Sequence, residues 1–463
     1  MIDRSRPLEV LQLRSVLFVF LIVFAALFLS LSKPPFQSPD ENDHLERAYL
    51  LSKGQLLLES PEGSNSGGAI DTGLLQYVVS FFHLPTAPEA KITADHLAYT
   101  RTFQWSGERQ FNVLPGTGFY FPAVYVPQAI GLLVGESLGL SVAISYKLAQ
   151  LATLLVASLF LLAAFQRMPA SVPTLVILSL PMSLFQTAST GIDFLSTAAL
   201  LLALAIFSRA MQAEPADRPA LSSLIGISVL VFLVAACRLH LSGLVLLIFF
   251  IGLRHSDLRA FFMGSVVTAA IGAWYAFSIT TTVDLRNDQG APPLEILLYY
   301  LESPGLFLDV LRETFSGDLP AYYLRSFLGI LGWADTEFSD ATYIILSLCL
   351  VAFVAIALAR TCRFVPWQTM AVFVAVALIS VFLVFLSLLV GWTPHPAMQI
   401  EGVQGRYFLA PALILLACLV PRPDLGRGII WLETGLLLMF FLYSVYLVHD
   451  IIQVRYYSDV MCC

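Results

Sequence analysis

The sequence predicts an all-α, polytopic membrane protein of about eleven transmembrane helices, with juxtamembrane helices on its outer face. Three observations carry this: the scarcity of charge, the number of apolar runs of bilayer length, and the placement of the arginines. Of 463 residues, 58% are hydrophobic and 12% charged. A soluble domain carries about 25% charged residues, so half that level cannot clothe a water-exposed surface of this size. The net charge of -7 argues against nucleic acid as a partner, which selects basic faces. The chain reads as a single integral membrane domain over 1–463.

A bilayer-crossing helix needs about 20 mostly apolar residues. The first such run is 15–32, preceded by Arg4, Arg6 and Arg14 and closed by Lys33-Pro34-Pro35. No small-residue cleavage pattern follows, so an uncleaved anchor is expected. A mostly polar stretch, 34–141, comes next. It holds two apolar islands, at 74–84 and at 119–134, the second interrupted by Pro122 and Pro127. If both lie on the membrane surface, the later spans fall at 145–165, 171–188, 191–208, 221–237, 239–253, 260–280, 342–359, 367–391, 405–420 and 428–449. Loops after even-numbered spans then hold Arg167, Arg209 with Arg218, Arg254 with Arg259, Arg360 with Arg363, and Arg422 with Arg427. They share the side of the N-terminal arginines, as cytoplasmic loops do. Counting 119–134 as a span would move them all outside. The N-terminus is therefore expected in the cytoplasm.

Two outer segments result, 34–141 and 281–341. In the second, 294–315 is apolar with Glu295, Glu302, Asp309, Arg312 and Glu313 scattered through it. It reads as an interfacial helix broken at Ser303-Pro304-Gly305. The run 327–333 is too short to cross and is expected to dip in and return. The six cysteines, Cys237, Cys349, Cys362, Cys418, Cys462 and Cys463, show no zinc or disulfide spacing and read as small apolar side chains.

Candidate chemistry gathers on the outer side. In Ser38-Pro39-Asp40-Glu41-Asn42-Asp43-His44-Leu45-Glu46-Arg47, a helix would put Asp40, His44 and Arg47 on one face. A capping box, Ser38 with Glu41 and Pro39 at the first helical position, explains part of this segment. It does not call for His44 or Arg47. Arg406, in Gly402-Val403-Gln404-Gly405-Arg406-Tyr407, stands where arginines are scarce. It either snorkels to headgroups or clamps an anion. Asp193 reads as a turn or cap residue or a ligand contact, and Arg238 with His240 as a pair between spans or part of a site. Tyr120 and Tyr125 lie in an aromatic, proline-rich run that suits an interfacial belt. No phosphate-binding glycine loop, no zinc helix motif and no charged midplane residue of an ion-coupled transporter is found.

Five segments in order, Pro39-Asp40-Glu41-x-x-His44-x-x-Arg47-Ala48-Tyr49, Phe121-Pro122-x-x-Tyr125-x-Pro127-Gln128-Ala129, Pro181-Met182 leading to Asp193, Leu331-Gly332-Trp333, and Gly402 to Tyr407, resemble the bacterial membrane proteins of domain of unknown function family 2142. The likeness covers roughly 15–450. That family is similar in layout to the type C (GT-C) glycosyltransferases, which implies a GT-C-like fold, a polyprenyl-phosphate sugar donor, and an acidic catalytic residue just after the first span. The resemblance implies Asp40 as general base, with Glu41 assisting it and His44 orienting the acid or the acceptor. It implies Arg406, Arg238, Lys147 and Arg47 as phosphate ligands and Gln404, Tyr407, Asp193 and Tyr125 as substrate contacts. Lys147 stands where similar enzymes commonly carry arginine. Lysine keeps the charge but loses the fork. A divalent cation, Mg or Mn, held by Asp40 and Glu41 stays open. The expected function is an inverting glycosyltransferase at the outer face of a bacterial inner membrane, acting on a cell-surface glycan or glycolipid. The rivals are a metal-independent glycan polymerase or ligase, a lipid-linked glycan transporter with broken midplane helices, and a non-catalytic envelope assembly protein. Inverted repeats and broken helices are not seen in the sequence.

Overall fold

The computed structural model describes residues 5–286, 289–360, 366–419 and 427–457. Arg4, Cys362, Arg363, Arg422, Cys462 and Cys463 lie outside the described residues. The described chain is mostly helical. Seven helices are long and apolar enough to cross a membrane: Glu9–Ser32, Val142–Arg167, Asp193–Gln212, Leu258–Thr281, Asp340–Ala359, Trp367–Gly391 and Gly428–Tyr456. Three further expected spans are shorter apolar helices, at Leu221–Ala235, Leu239–His255 and Gly405–Leu416.

The expected span at 171–188 is two helices, Val172–Leu178 and Pro181–Thr187, buried along both. Pro181 lacks the N–H to continue the first, and Leu180 before it is extended at ψ 146°. Sequence reading expected no broken helix, and this is a correction. Side chains add bonds to carbonyls near the break. Ser179 Oγ donates to Leu175 O (2.7 Å), Ser183 Oγ to Ile177 O (2.7 Å), and Gln150 Nε2 to Ala188 O (2.7 Å).

Segment ends assigned by charge to one side do meet. At one end of the bundle, Arg14 reaches Ala170 O (3.2 Å) and Glu433 (3.7 Å), and Arg259 reaches Pro219 O (3.2 Å). At the other, Ser32 pairs with His449 (3.2 Å), and its carbonyl accepts from Tyr457 OH (2.9 Å).

The segment 34–141 folds against this second end. It contributes a helix at Glu41–Ser52, a two-stranded antiparallel ribbon of Gly67–Asp71 with Arg109–Val113, and three short helices at Thr72–Val79, His83–Thr86 and Ala94–Thr100. The ribbon was not anticipated. Neither apolar island can cross. The second becomes a 3₁₀ turn, Pro122–Tyr125, and a 12-residue helix, Val126–Ser137, about 18 Å long against a core of about 30 Å. That helix lies on Val142–Arg167 through Gly131 and Gly135. A Cβ on Gly131 would stand 2.5 Å from the Ala149 backbone.

In the second outer segment the break at Ser303 is as expected, between Pro293–Glu302 and Pro304–Ser316. The run 327–333 differs. It ends the helix Leu319–Leu328 and turns through Gly329, whose Cα faces Pro181: a Cβ there would meet the proline side chain at 2.9 Å. The apolar residues Leu328, Ile330 and Leu331 are buried in the main core rather than dipping into lipid.

The close approach at Gly131 yields a stability test. Overpacking costs about 1–3 kcal/mol. Gly131→Ala is expected to lower the unfolding temperature in detergent, while Gly272→Ala, where a Cβ meets nothing within 4 Å, leaves it unchanged.

Candidate functional site at one end of the bundle

The site is built on one carboxylate. Glu41 opens the helix Glu41–Ser52 and is fully buried. Its Oε2 accepts from Lys33 Nζ (3.1 Å) and from the Ser38 backbone N–H (3.2 Å). Its Oε1 accepts from Tyr146 OH (2.8 Å) and the Thr190 N–H (2.9 Å). Burial alone would push this carboxyl up. The Lys33 ammonium, the Thr190 amide and the Tyr146 hydroxyl outweigh it and hold Glu41 below the ordinary value. The expected capping box is half made: Glu41 reaches back to Ser38, but Ser38 Oγ accepts from Lys33 Nζ (2.8 Å). The helix begins after Asp40, not at Pro39.

Glu41 therefore pins together the end of the first span, the helix Val142–Arg167 and the turn before Asp193. It is not a free catalytic acid, which corrects the sequence assignment. With both its oxygens engaged, the Asp40–Glu41 pair does not offer two open carboxylates to a divalent cation. Among the described residues no group of three or more His, Cys, Asp or Glu is placed to hold a metal ion.

Asp40 is its opposite. It precedes the helix at φ 59°, ψ 10°, a left-handed conformation that aspartate tolerates better than most residues. Its side chain makes no cap hydrogen bond and is 51% exposed. Arg406 Nη2 stands 3.6 Å from Asp40 Oδ2, and Arg406 Nη1 stands 3.6 Å from Asp193 Oδ2. Both contacts exceed hydrogen-bond length and are Coulombic. The Arg406 side chain is 8% exposed and its Nε has no hydrogen-bond partner. Asp193 also forms a close ion pair with Arg238 and accepts from Gln186 Nε2 (3.3 Å). The result is a row of alternating charge, Asp40–Arg406–Asp193–Arg238, drawn from four separate segments.

Aromatic rings line this row. Arg238 lies over Tyr120 (5.5 Å) and Arg406 over Tyr407 (5.4 Å). Both arginines sit where regular helix is given up. Arg238 precedes the 3₁₀ turn Leu239–Leu244, and Arg406 lies within another, Gly405–Phe408. Gly405 is required there, because a Cβ would stand 2.0 Å from Tyr323 O. Gln404 precedes that turn, and its carbonyl accepts from the Tyr407 N–H (3.1 Å).

His44 lies behind Asp40. Its Nδ1 bonds Tyr125 OH at 2.9 Å, and its ring packs between Tyr120 and Tyr125. Burial, then Arg238 and Arg406, push its pKa down to about 4 against the opposing pull of Asp40. It is therefore a neutral imidazole at pH 7, positioned beside the row. Tyr125 is buried and touches His44 rather than facing outward.

Two assignments are corrected outright. Arg47 bonds neither Asp40 nor His44 and lies over the Tyr125 ring (6.0 Å). It is buried and donates to the carbonyls of Gln55 (3.3 Å) and Leu56, clamping the loop after its own helix. Lys147 donates to Ser30 O (2.6 Å) and Gln150 Oε1 (3.1 Å), closing the end of the first span. Neither is presented to a ligand at Asp40. Arg325 pairs with Glu337 and Asp340, also outside the row.

Sequence reasoning missed Lys33, Tyr146 and Arg286. Arg286 holds Asp284 with Nε at 2.9 Å and Nη2 at 2.7 Å, lies over Trp392 (5.8 Å), and its charge acts on both Asp43 and Asp40. The criterion that singled out Arg406, an arginine on the outer side, would have found it. Lys33 looked like an ordinary span flank.

The fold and the site define a multi-pass helical membrane protein with a polar cluster at one end of its bundle. The chain belongs to the DUF2142 family, described as a predicted membrane protein, whose model matches residues 20–416. No curated protein and no solved structure matches it.

Two acids on the same helix give a pH signature. Asp43 is pushed up to about 7 by burial and then by Asp40, against Arg286 and Asn42. Glu46 is pushed up to about 8 by burial, against its bond from Asn112 Nδ2 (2.6 Å). The folded state thus holds these protons more tightly than the unfolded chain, where a glutamate titrates near about 4.3. Their stabilisation is fully present below that pH and is lost as pH rises through about 8. The unfolding temperature is expected to fall between pH 6 and pH 9. Glu46→Gln, which keeps an acceptor for Asn112, should flatten that fall and raise the midpoint at pH 9 by a few degrees.

Proposed function

We propose that this protein is an inverting glycosyltransferase that takes a sugar from a polyprenyl-phosphate lipid at the outer face of a bacterial inner membrane. The acceptor is a cell-surface glycan or glycolipid. In this reading the N-terminus is cytoplasmic, and the three short apolar helices and the broken pair at 172–187 complete eleven crossings in a GT-C-like arrangement. The observation that carries it is the half-exposed Asp40 carboxylate beside the buried Arg406 guanidinium, at the mouth of an apolar bundle. A lipid-linked anion is the substrate that needs both: an apolar bed for its tail and a buried cation for its head.

The acceptor hydroxyl attacks the anomeric carbon from the face opposite the phosphate. Asp40 takes the hydroxyl proton. The bond from the anomeric carbon to the phosphate oxygen breaks, and its electron pair leaves with the phosphate. Arg406, with Arg238 behind it through Asp193, meets that growing charge. His44 and Tyr125 hold their place under Asp40 by their mutual bond, and Gln404 and Tyr407 flank the sugar. No step is assigned to a divalent cation.

A transporter of lipid-linked glycans is the second reading, favoured by the broken pair Val172–Leu178 and Pro181–Thr187, a feature transporters place at ligand sites. Against it, the carbonyls of Leu175, Ile177 and Ala188 near that break are already taken by side chains.

The test uses purified protein in nanodiscs with radiolabelled polyprenyl-phosphate sugars. Wild type is expected to release or transfer sugar, and a folded Asp40→Asn variant to lose about 10²–10⁴-fold in kcat. Equal turnover by both would remove Asp40 from the mechanism. Sugar-lipid movement across the bilayer without release would establish the transporter.

A further inference from the structure

In an inverting displacement the base and the departing phosphate stand on opposite faces of the sugar ring. The two carboxyl groups of inverting glycoside hydrolases, for scale, are roughly 6.5–9.5 Å apart to leave room for the reaction. Asp40 and Arg406 are 3.6 Å apart. No sugar fits between them, so a base at Asp40 and a phosphate clamp at Arg406 cannot act while they remain in contact.

The surroundings decide which partner moves. Arg406 is 8% exposed, fixed in a 3₁₀ turn, and held to Asp193. Asp193 is itself held by Arg238 and Gln186. Asp40 is half exposed, has no cap hydrogen bond, and is flanked by a Glu41 whose carboxylate is locked to three segments. The Asp40 side chain can swing while its backbone stays. The unpartnered Nε of Arg406 leaves the guanidinium with hydrogen-bonding capacity that the 3.6 Å contacts do not use.

We infer that Asp40 occupies the phosphate position on Arg406 in the free protein, so that the anionic head of the lipid donor must displace it and, in doing so, releases it as the base. This rests on reading Asp40 as base and Arg406 as phosphate clamp. It adds an order: donor first, then proton acceptance. Before the donor arrives, the Asp40 carboxylate faces Arg406 at 3.6 Å and is turned away from an acceptor hydroxyl. Once a phosphate takes Arg406, the carboxylate loses that cation and gains an anion nearby.

The consequence runs against the usual effect of deleting an active-site acid. Asp40 is an internal competitor for the donor head, so its removal should tighten binding. The probe is radiolabelled farnesyl phosphate, which carries no sugar and cannot turn over, titrated onto the full chain in nanodiscs. Asp40→Asn preserves tolerance of the left-handed backbone. It is expected to bind the probe about three- to tenfold more tightly than wild type, the scale of a partly exposed ion pair. Arg406→Ala should lose binding, and Asp40→Asn added to it should restore none. Equal or weaker binding by Asp40→Asn overturns the inference, and weaker binding with Mg present would assign Asp40 to a cation instead. A second measurement needs no variant. Farnesyl phosphate should raise carbodiimide labelling of Asp40 in wild type several-fold by mass spectrometry, and protection of Asp40 would overturn the displacement. Neither readout requires sugar transfer, so failure of the transferase reading and failure of the displacement are separate outcomes.

Discussion

The buried Glu41 carboxylate is the constraint on which the site-bearing end of this protein depends. Removing a carboxylate and an ammonium from water costs several kcal/mol per ion even after relaxation. The cost is offset only when each lone pair finds a donor. Here the donors come from Lys33, Ser38, Tyr146 and Thr190. A misplacement of any one leaves an unpaired buried charge. The first span, the helix Val142–Arg167 and the turn before Asp193 are therefore held in one mutual arrangement, and residues next to each anchor inherit their positions. Asp40 precedes Glu41 by one residue, and Asp193 follows Thr190 by three.

A second anchor repeats the logic farther out. Arg455 pairs with Asp335 at 2.9 Å and donates to the carbonyls of Leu84 and Ala90, joining the last helix to both outer segments. The fully saturated pairs lie behind the row Asp40–Arg406–Asp193–Arg238. The contacts of Arg406 in that row are long, and Asp40 is open to solvent. Tight bonding at the anchors and looseness at Asp40 are what a ligand-exchanging site requires, since an arginine saturated by protein acceptors has nothing left for a substrate.

Much of this was legible in sequence. Charge asymmetry placed 119–134 on the surface, and its 12-residue helix agrees. The proline and glycine at 304 and 305 marked a real break. Asp40, Asp193, Arg238 and Arg406 were all noticed as charges on the outer side, and they do converge. What could not be read was which acid of Asp40-Glu41 would be free. Both fit a first helical turn, and the choice is made by Lys33, Tyr146 and Thr190, which only tertiary contact brings near. Arg47 failed for a related reason. Helical spacing put it on the face of His44, but its long side chain found the carbonyls of Gln55 and Leu56. The break at Pro181 was visible as a residue, yet mean apolarity across 171–188 concealed it.

The lost helical regularity around the site has a physical rationale. A straight helix entering the membrane would carry its first polar residue outward along its own axis, away from its neighbours. The break before Pro181 lies within the buried core, and the 3₁₀ turns after Arg238 and around Arg406 bend the chain where the row of charges forms. Side chains from separate helices then point at one place. Such turns have poorer hydrogen-bond geometry than α-helix, and at the Pro181 break serine and glutamine side chains bond the nearby carbonyls. The 3₁₀ turns thus set Arg238 and Arg406 against acids at one end of the bundle.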